Sequence, residues 1–159
     1  MIKTTVTDVQ KAKDDIRKAL ESFVTDKVVT VGIHDDAGSH SDSDETNAGI
    51  GAKLHFGDDS SNIPPRPWLD TGVESGNAEY AGIIQSAVES GESLDQALNA
   101  VGVVAVGKVQ VYMTELKTPP NALSTIKIKG SNNPLIDTGE LRQSVTYKVQ
   151  KTTLEEGIG

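Results

Sequence analysis

The stretch Asn133-Pro134-Leu135-Ile136-Asp137-Thr138-Gly139-Glu140-Leu141-Arg142-Gln143-Ser144-Val145-Thr146-Tyr147-Lys148-Val149 decides how this chain is read. As chemistry, Asp137-Thr138-Gly139 is the active-site triplet of an aspartic protease, and Asp70-Thr71-Gly72 offers the second carboxylate. As structure, Asp137 stands three residues ahead of Glu140, a helix-start pattern. The chain then alternates through Val145, Thr146, Tyr147, Lys148 and Val149 as a strand does. The protease needs two carboxylates sharing one proton across a two-fold interface, each in a β lobe. Neither triplet has that setting. Asp70 follows a proline-rich segment and precedes a helix, and Asp137 runs straight into Glu140-Leu141-Arg142. A carboxylate that caps its own helix is already bonded to backbone N–H groups. The structural reading is preferred, and a protease using Asp70 and Asp137 is the alternative from the enzyme class.

Working outward, the remaining sequence supplies helices and two more strands. Thr7-Asp8-Val9-Gln10 fits a capping box. Val9, Ala12, Ile16, Ala19, Leu20 and Phe23 follow at helical spacing, which gives an amphipathic helix over residues 8–24. Lys27 to His34 reads as a strand with Val29, Val31 and Ile33 on one side. A short helix covers Thr46 to Phe56 and stops at Gly57. Ile63-Pro64-Pro65-Arg66-Pro67-Trp68-Leu69 is extended, because each proline fixes its own φ and disfavours helix just before it.

Asn77 to Glu89 is a helix with Tyr80, Ile83, Ile84, Ala87 and Val88 turned inward, broken by Gly91. Ser93-Leu94-Asp95-Gln96 is a second capping box and opens a helix reaching Leu116. Its inward face is Leu94, Ala97, Leu98, Val101, Ala105 and Tyr112, with a strand as the competitor over the valine-rich Val101 to Val111. Thr125 to Lys129 reads as a short strand, and Ser144 to Lys151 as the closing one. The expectation is one α+β domain over residues 1–159, a small antiparallel sheet with helices packed on one face.

Composition narrows the function classes. With one Trp, two Phe and three Tyr, the core must be mostly aliphatic, and a thin core suggests contacts with other subunits. No cysteine is present, which removes disulfides, thiolate zinc sites and cysteine nucleophiles. No apolar run reaches the roughly 20 residues that a membrane span needs, and Met1-Ile2-Lys3-Thr4-Thr5 has no signal core. A soluble protein without a membrane partner is expected. A net charge of −8 argues against wrapping nucleic acid through its phosphates, and suits a surface that DNA passes without sticking.

Two segments resemble a known family. One is Ile50-Gly51-Ala52-Lys53-Leu54-His55-Phe56-Gly57 with the Ile63 to Leu69 run, and the other is Leu135 to Val149. Together they resemble the virion morphogenesis proteins of tailed bacteriophages, which complete tails and join them to heads. His55 stands where that pattern has an acidic residue, and the Asp35 to Glu45 loop is longer and more acidic. The resemblance implies a non-enzymatic α+β subunit of the virion neck, assembled in the host cytoplasm as a ring. A hexamer is the expected ring, with a dodecamer as the alternative. It implies neighbouring connector and tail proteins as partners, DNA only as passing cargo, and no cofactor. A tail terminator capping the tail tube is the second role of the same kind.

The candidate recognition residues are Arg66, Trp68, Asp137, Glu140 and Arg142, joined by the acidic loop residues Asp35, Asp36, Asp42, Asp44 and Glu45. The loop is rich in Asp, Ser and Gly and is expected to be mobile in the free subunit. His34 and His40 with these acids have metal-binding types but no spacing that gathers them, so a solvated loop is preferred. Pro64-Pro65-Arg66-Pro67 is read as a rigid connector placing Trp68, ahead of a polyproline ligand. Trp68 is balanced between core and interface. Gly102 and Gly107 are either tolerated core glycines or points of close approach between subunits. Lys127 and Lys129 form a basic stripe on the outer face of their strand.

Overall fold

Helix α4, Leu94–Glu115, is the spine on which everything else rests. In the computed structural model, the described residues are 25–34, 37–38, 44–122 and 139–152, with positions 11, 13–15, 17–18, 21 and 126–127. Ser93 opens α4 through a complete capping box: its Oγ accepts from Gln96 N at 3.3 Å, and Gln96 Oε1 accepts from Ser93 N at 3.0 Å. The valines of α4 are helical despite their strand preference: the cap starts the helix, and its packing through positions such as Val109 and Met113 outweighs a weak local propensity. Among the described residues, α4 is the one helix long and apolar enough to cross a membrane, contrary to the reading of the composition. It packs against helices and both strands of this fold, as a core helix does.

The sheet has two strands, β1 at Lys27–Gly32 and β2 at Thr146–Lys151, paired antiparallel with Val29 opposite Val149 and Val31 opposite Tyr147. A sheet this small is marginal alone and needs a helix against one face. α4 provides it, and Tyr147 of β2 lies against Gly102 of α4. A Cβ at Gly102 would stand 2.1 Å from Tyr147 Cδ2, and Tyr147 Oη donates to Asn99 Oδ1 at 3.1 Å. Gly102 thus serves an approach inside the chain.

Helix α1, Asn47–Phe56, is capped by Thr46, whose Oγ1 accepts from Gly49 N at 3.0 Å, and ends at Gly57. Helix α2, Trp68–Glu74, starts two residues earlier than an extended run to Leu69 allows. Pro67 sits just ahead of its first turn, where a missing N–H costs nothing. Helix α3, Asn77–Ser90, ends at Gly91 as expected. The buried core joins Trp68, Val109, Met113, Leu116, Leu141 and Val145, with Val31, Ile33 and Leu54 packed around it. The molecule is therefore a small α+β domain with a two-stranded antiparallel sheet and helices against it.

Two expectations are overturned. Ile126 and Lys127 are helical, and Ile126 N donates to Ala122 O at 3.0 Å, so Lys127 does not sit on a strand edge. An alternation of four residues is too short to separate helical from strand spacing. Helix α5, Glu140–Gln143, is capped at Gly139 in the left-handed conformation, φ 83°, with no side-chain capping bond. The cap lies closer to the helix than Asp137, which is outside the described residues along with Lys129, Asp35, Asp36, His40 and Asp42.

Candidate functional site

Two of the residues singled out by the sequence, Arg66 and Trp68, are spent inside the fold. Arg66 is 3 % exposed. Its Nε donates to Pro119 O at 2.9 Å and its Nη2 to Pro120 O at 3.3 Å, while its own N–H donates to Leu54 O at 3.0 Å. One residue thus ties the end of α1 to the chain leaving α4. Burial pulls its guanidinium below the ordinary arginine value. Trp68 is buried, and its Nε1 donates to Gly51 O at 3.2 Å. Arg142 Nη1 donates to Thr114 Oγ1 at 3.2 Å, and Glu140 Oε1 accepts from Asn47 Nδ2 at 3.4 Å. Arg66 and Trp68 tie the proline-rich run to the body from buried positions, while the half-exposed Glu140 and Arg142 bond α5 to Asn47 and Thr114.

The remaining candidates divide. Asp44 is exposed, and Glu45 is paired with Lys53 of α1, so the acidic loop is compensated at its end. That hydrogen bond raises the Lys53 ammonium above its usual value. His34 Nδ1 lies 2.9 Å from Thr146 Oγ1, and Nε2 lies 3.4 Å from Thr30 Oγ1. Both ring nitrogens face sheet hydroxyls. Among the described residues no group of three or more His, Asp or Glu side chains is arranged to hold a metal. Asp70-Thr71-Gly72 lies within α2, outside the β-lobe loop that a protease needs. Its glycine admits α4, since a Cβ there would stand 2.8 Å from Val109 Cα.

Two surfaces stand out instead, of which the sequence reading touched only Gly107. The first is an apolar pocket of about 220 Å³ between α1 and α2, lined by Ile33, Ala52, His55, Phe56, Leu69 and Asp70 among others. His55 is 7 % exposed. Leu69 N–H donates to its Nδ1 at 3.5 Å, which leaves the proton on Nε2, 3.3 Å from Asp70 Oδ2. The His55 ring meets Trp68 and Phe56 edge-on, at centroid distances of 6.0 and 4.5 Å. Among the described residues that line the pocket, none carries a hydroxyl, thiol or amine side chain beside the His55–Asp70 pair. Phe56, the last residue of α1, is 76 % exposed at the pocket mouth. An exposed aromatic beside an apolar pocket is the kind of feature that anchors protein contacts.

The second surface is the outer side of α4, where Val103 is 59 % and Val111 54 % exposed. A Cβ at Gly107 between them meets nothing within 4 Å. Valine recurs on both sides of α4, and that was the available signal for a helix with two apolar faces. For Phe56 the signal was an aromatic in the last turn of a helix whose inward positions were already filled. No family model, curated protein or solved structure matches this chain.

Proposed function

We propose that this chain is a structural subunit of a tailed-bacteriophage neck, a tail-completion component that forms a ring joining head to tail. Its work is assembly, with no covalent step. The observation that supports assembly is Phe56, which is 76 % exposed over an apolar pocket formed by the same helix pair. A large exposed aromatic on a chain with only six aromatic residues other than histidine favours burial in a contact between subunits. The neck assignment rests on the two sequence segments described above. The structure gives those segments a common purpose: Arg66, Trp68, Glu140 and Arg142 hold the body together. In this reading the partners are further copies in the ring, then the connector and tail proteins. DNA passes through the channel as cargo beside the acidic loop.

The test is a phage lacking this chain. DNA-filled heads and finished tails should accumulate apart, and purified protein added to that mixture should restore infectious particles. Normal infectious particles formed without the chain would contradict the proposal.

A further inference from the structure

Asn47 is a polar side chain shut inside the body. It is the first residue of α1, just after the cap Thr46, and is 2 % exposed. Its backbone N–H donates to Gly38 O at 3.2 Å. Its side-chain Nδ2 donates to Ala37 O and to Glu140 Oε1, each at 3.4 Å. Two acceptors on one side fix the amide's orientation, since only its nitrogen can donate. The oxygen is left over. Among the described residues, Asn47 Oδ1 is the one buried side-chain atom of its kind with no hydrogen-bond partner. Folds leave few such groups, because a buried carbonyl gives up its water and gains nothing in return.

Asn47 is also part of the wall of a polar pocket of about 420 Å³, with Ala37, Glu140, Gln143, Ser144 and Thr146. The first turn of α1, helix α5 and the first residue of β2 meet there. Ser144 Oγ donates to Glu140 O at 2.9 Å and closes α5, and Thr146 Oγ1 lies 2.9 Å from His34 Nδ1. The lining side chains bring one carboxylate, two hydroxyls and two amides, and no lysine or arginine. One negative charge among several acceptors suits a ligand with one positive charge and several N–H donors. A divalent ion needs more: calcium takes about six to eight oxygens, carboxylates prominent among them. Among the described residues no group of three His, Asp or Glu is placed to hold one.

We propose that this pocket binds a guanidinium group, with Glu140 facing its charge and Asn47 Oδ1 accepting one of its N–H donors. A guanidinium is planar, stays charged at every ordinary pH, and holds its donors in a fixed fork. It can therefore face a carboxylate and an amide oxygen at once. The arginine side chain of a partner polypeptide and a free guanidine share this chemistry. The net charge of −8 draws cations of either source toward the chain. The site lies apart from Phe56 and does not depend on the neck reading, so its failure would leave that reading untouched.

The test is a nitrogen-15 NMR titration of the full chain with methylguanidinium, set against tetramethylammonium, which has the charge and no N–H. The side-chain amides of Asn47 and Gln143 and the Thr146 N–H should shift and saturate with methylguanidinium and stay in place with tetramethylammonium. Equal shifts with both would overturn the proposal. So would no shift with either, which would leave Asn47 Oδ1 to an ordered water, and so would saturation by calcium alone. Asn47→Leu and Glu140→Gln should each weaken binding at least fivefold with the circular dichroism spectrum kept. Should Asn47→Leu unfold the chain, Glu140→Gln at its half-exposed position decides alone. Unchanged binding in that folded variant would overturn the site. N-acetyl-arginine methylamide separates the two sources. Binding as tight as that of methylguanidinium supports a partner's arginine, and binding of methylguanidinium alone supports a free guanidine.

Discussion

At the scale of the residue, two glycines of one helix have opposite roles. Gly102 makes room for Tyr147, and Gly107 faces open space. Gly102→Ala should cost about 1–3 kcal/mol through forced displacement of the ring, and Tyr147→Ala in the same chain should remove much of that penalty. Gly107→Ala should stabilise the isolated subunit by about 0.5–1 kcal/mol through helix propensity. Denaturant unfolding followed by the fluorescence of Trp68, the single tryptophan, reads both, and equal effects at the two positions would contradict the packing described. Asp58 supplies a pH test. Ser60 and Ser61 donate to its carboxylate and lower it to about 2. A carboxyl depressed in the folded state contributes stability above its unfolded value of 3.8, and that contribution is lost as pH falls toward about 2. Wild type should therefore melt above Asp58→Ala at neutral pH, and the part of the gap owed to the charge should close between pH 4 and pH 2. Carbon NMR should find the Asp58 carboxyl titrating near the bottom of that range. A midpoint near 4 would contradict the hydrogen bonds to Ser60 and Ser61.

At the scale of the element, α5 is held at its start by a backbone conformation. Gly139 has φ 83°, which costs an L-residue about 1–2 kcal/mol. Gly139→Ala should lower stability by about that much, and Gly139→Asn by less, because asparagine tolerates this region. Equal melting temperatures for all three would remove the cap. The sequence pointed at the right place with the wrong residue: the Asp137-to-Glu140 spacing imitates a capping box, while the chain turns at Gly139. Elsewhere local signals sufficed. The Ser93–Gln96 box and the length of the following segment identified α4, and Gly57 and Gly91 marked helix ends. The failures share a cause. Trp68 enters α2 because its indole is buried and bonded to Gly51 O, a long-range contact that no local pattern carries. Arg66 looks like a surface recognition residue until the carbonyls of Pro119 and Pro120 arrive from the far end of α4. Phe56 and the Val103 line were invisible for the opposite reason, since apolar residues in helices read as core until the fold shows which side is left bare.

At the scale of the whole molecule, the body has one modest core around Trp68, Val109 and Met113, and among the described residues Phe56, Val103 and Val111 are left exposed. A net charge of −8 opposes close approach of like subunits, so in the proposed ring the contacts between copies would come from apolar residues such as these. The central claim is that the assembly is a ring at the head–tail junction. The most direct measurement is cryo-electron microscopy of particles in which this chain carries a small folded tag at its C-terminus. The account predicts a closed ring of tag density, one tag per subunit, confined to the junction. Tag density along the tail, within the capsid shell, or missing from finished particles would contradict it.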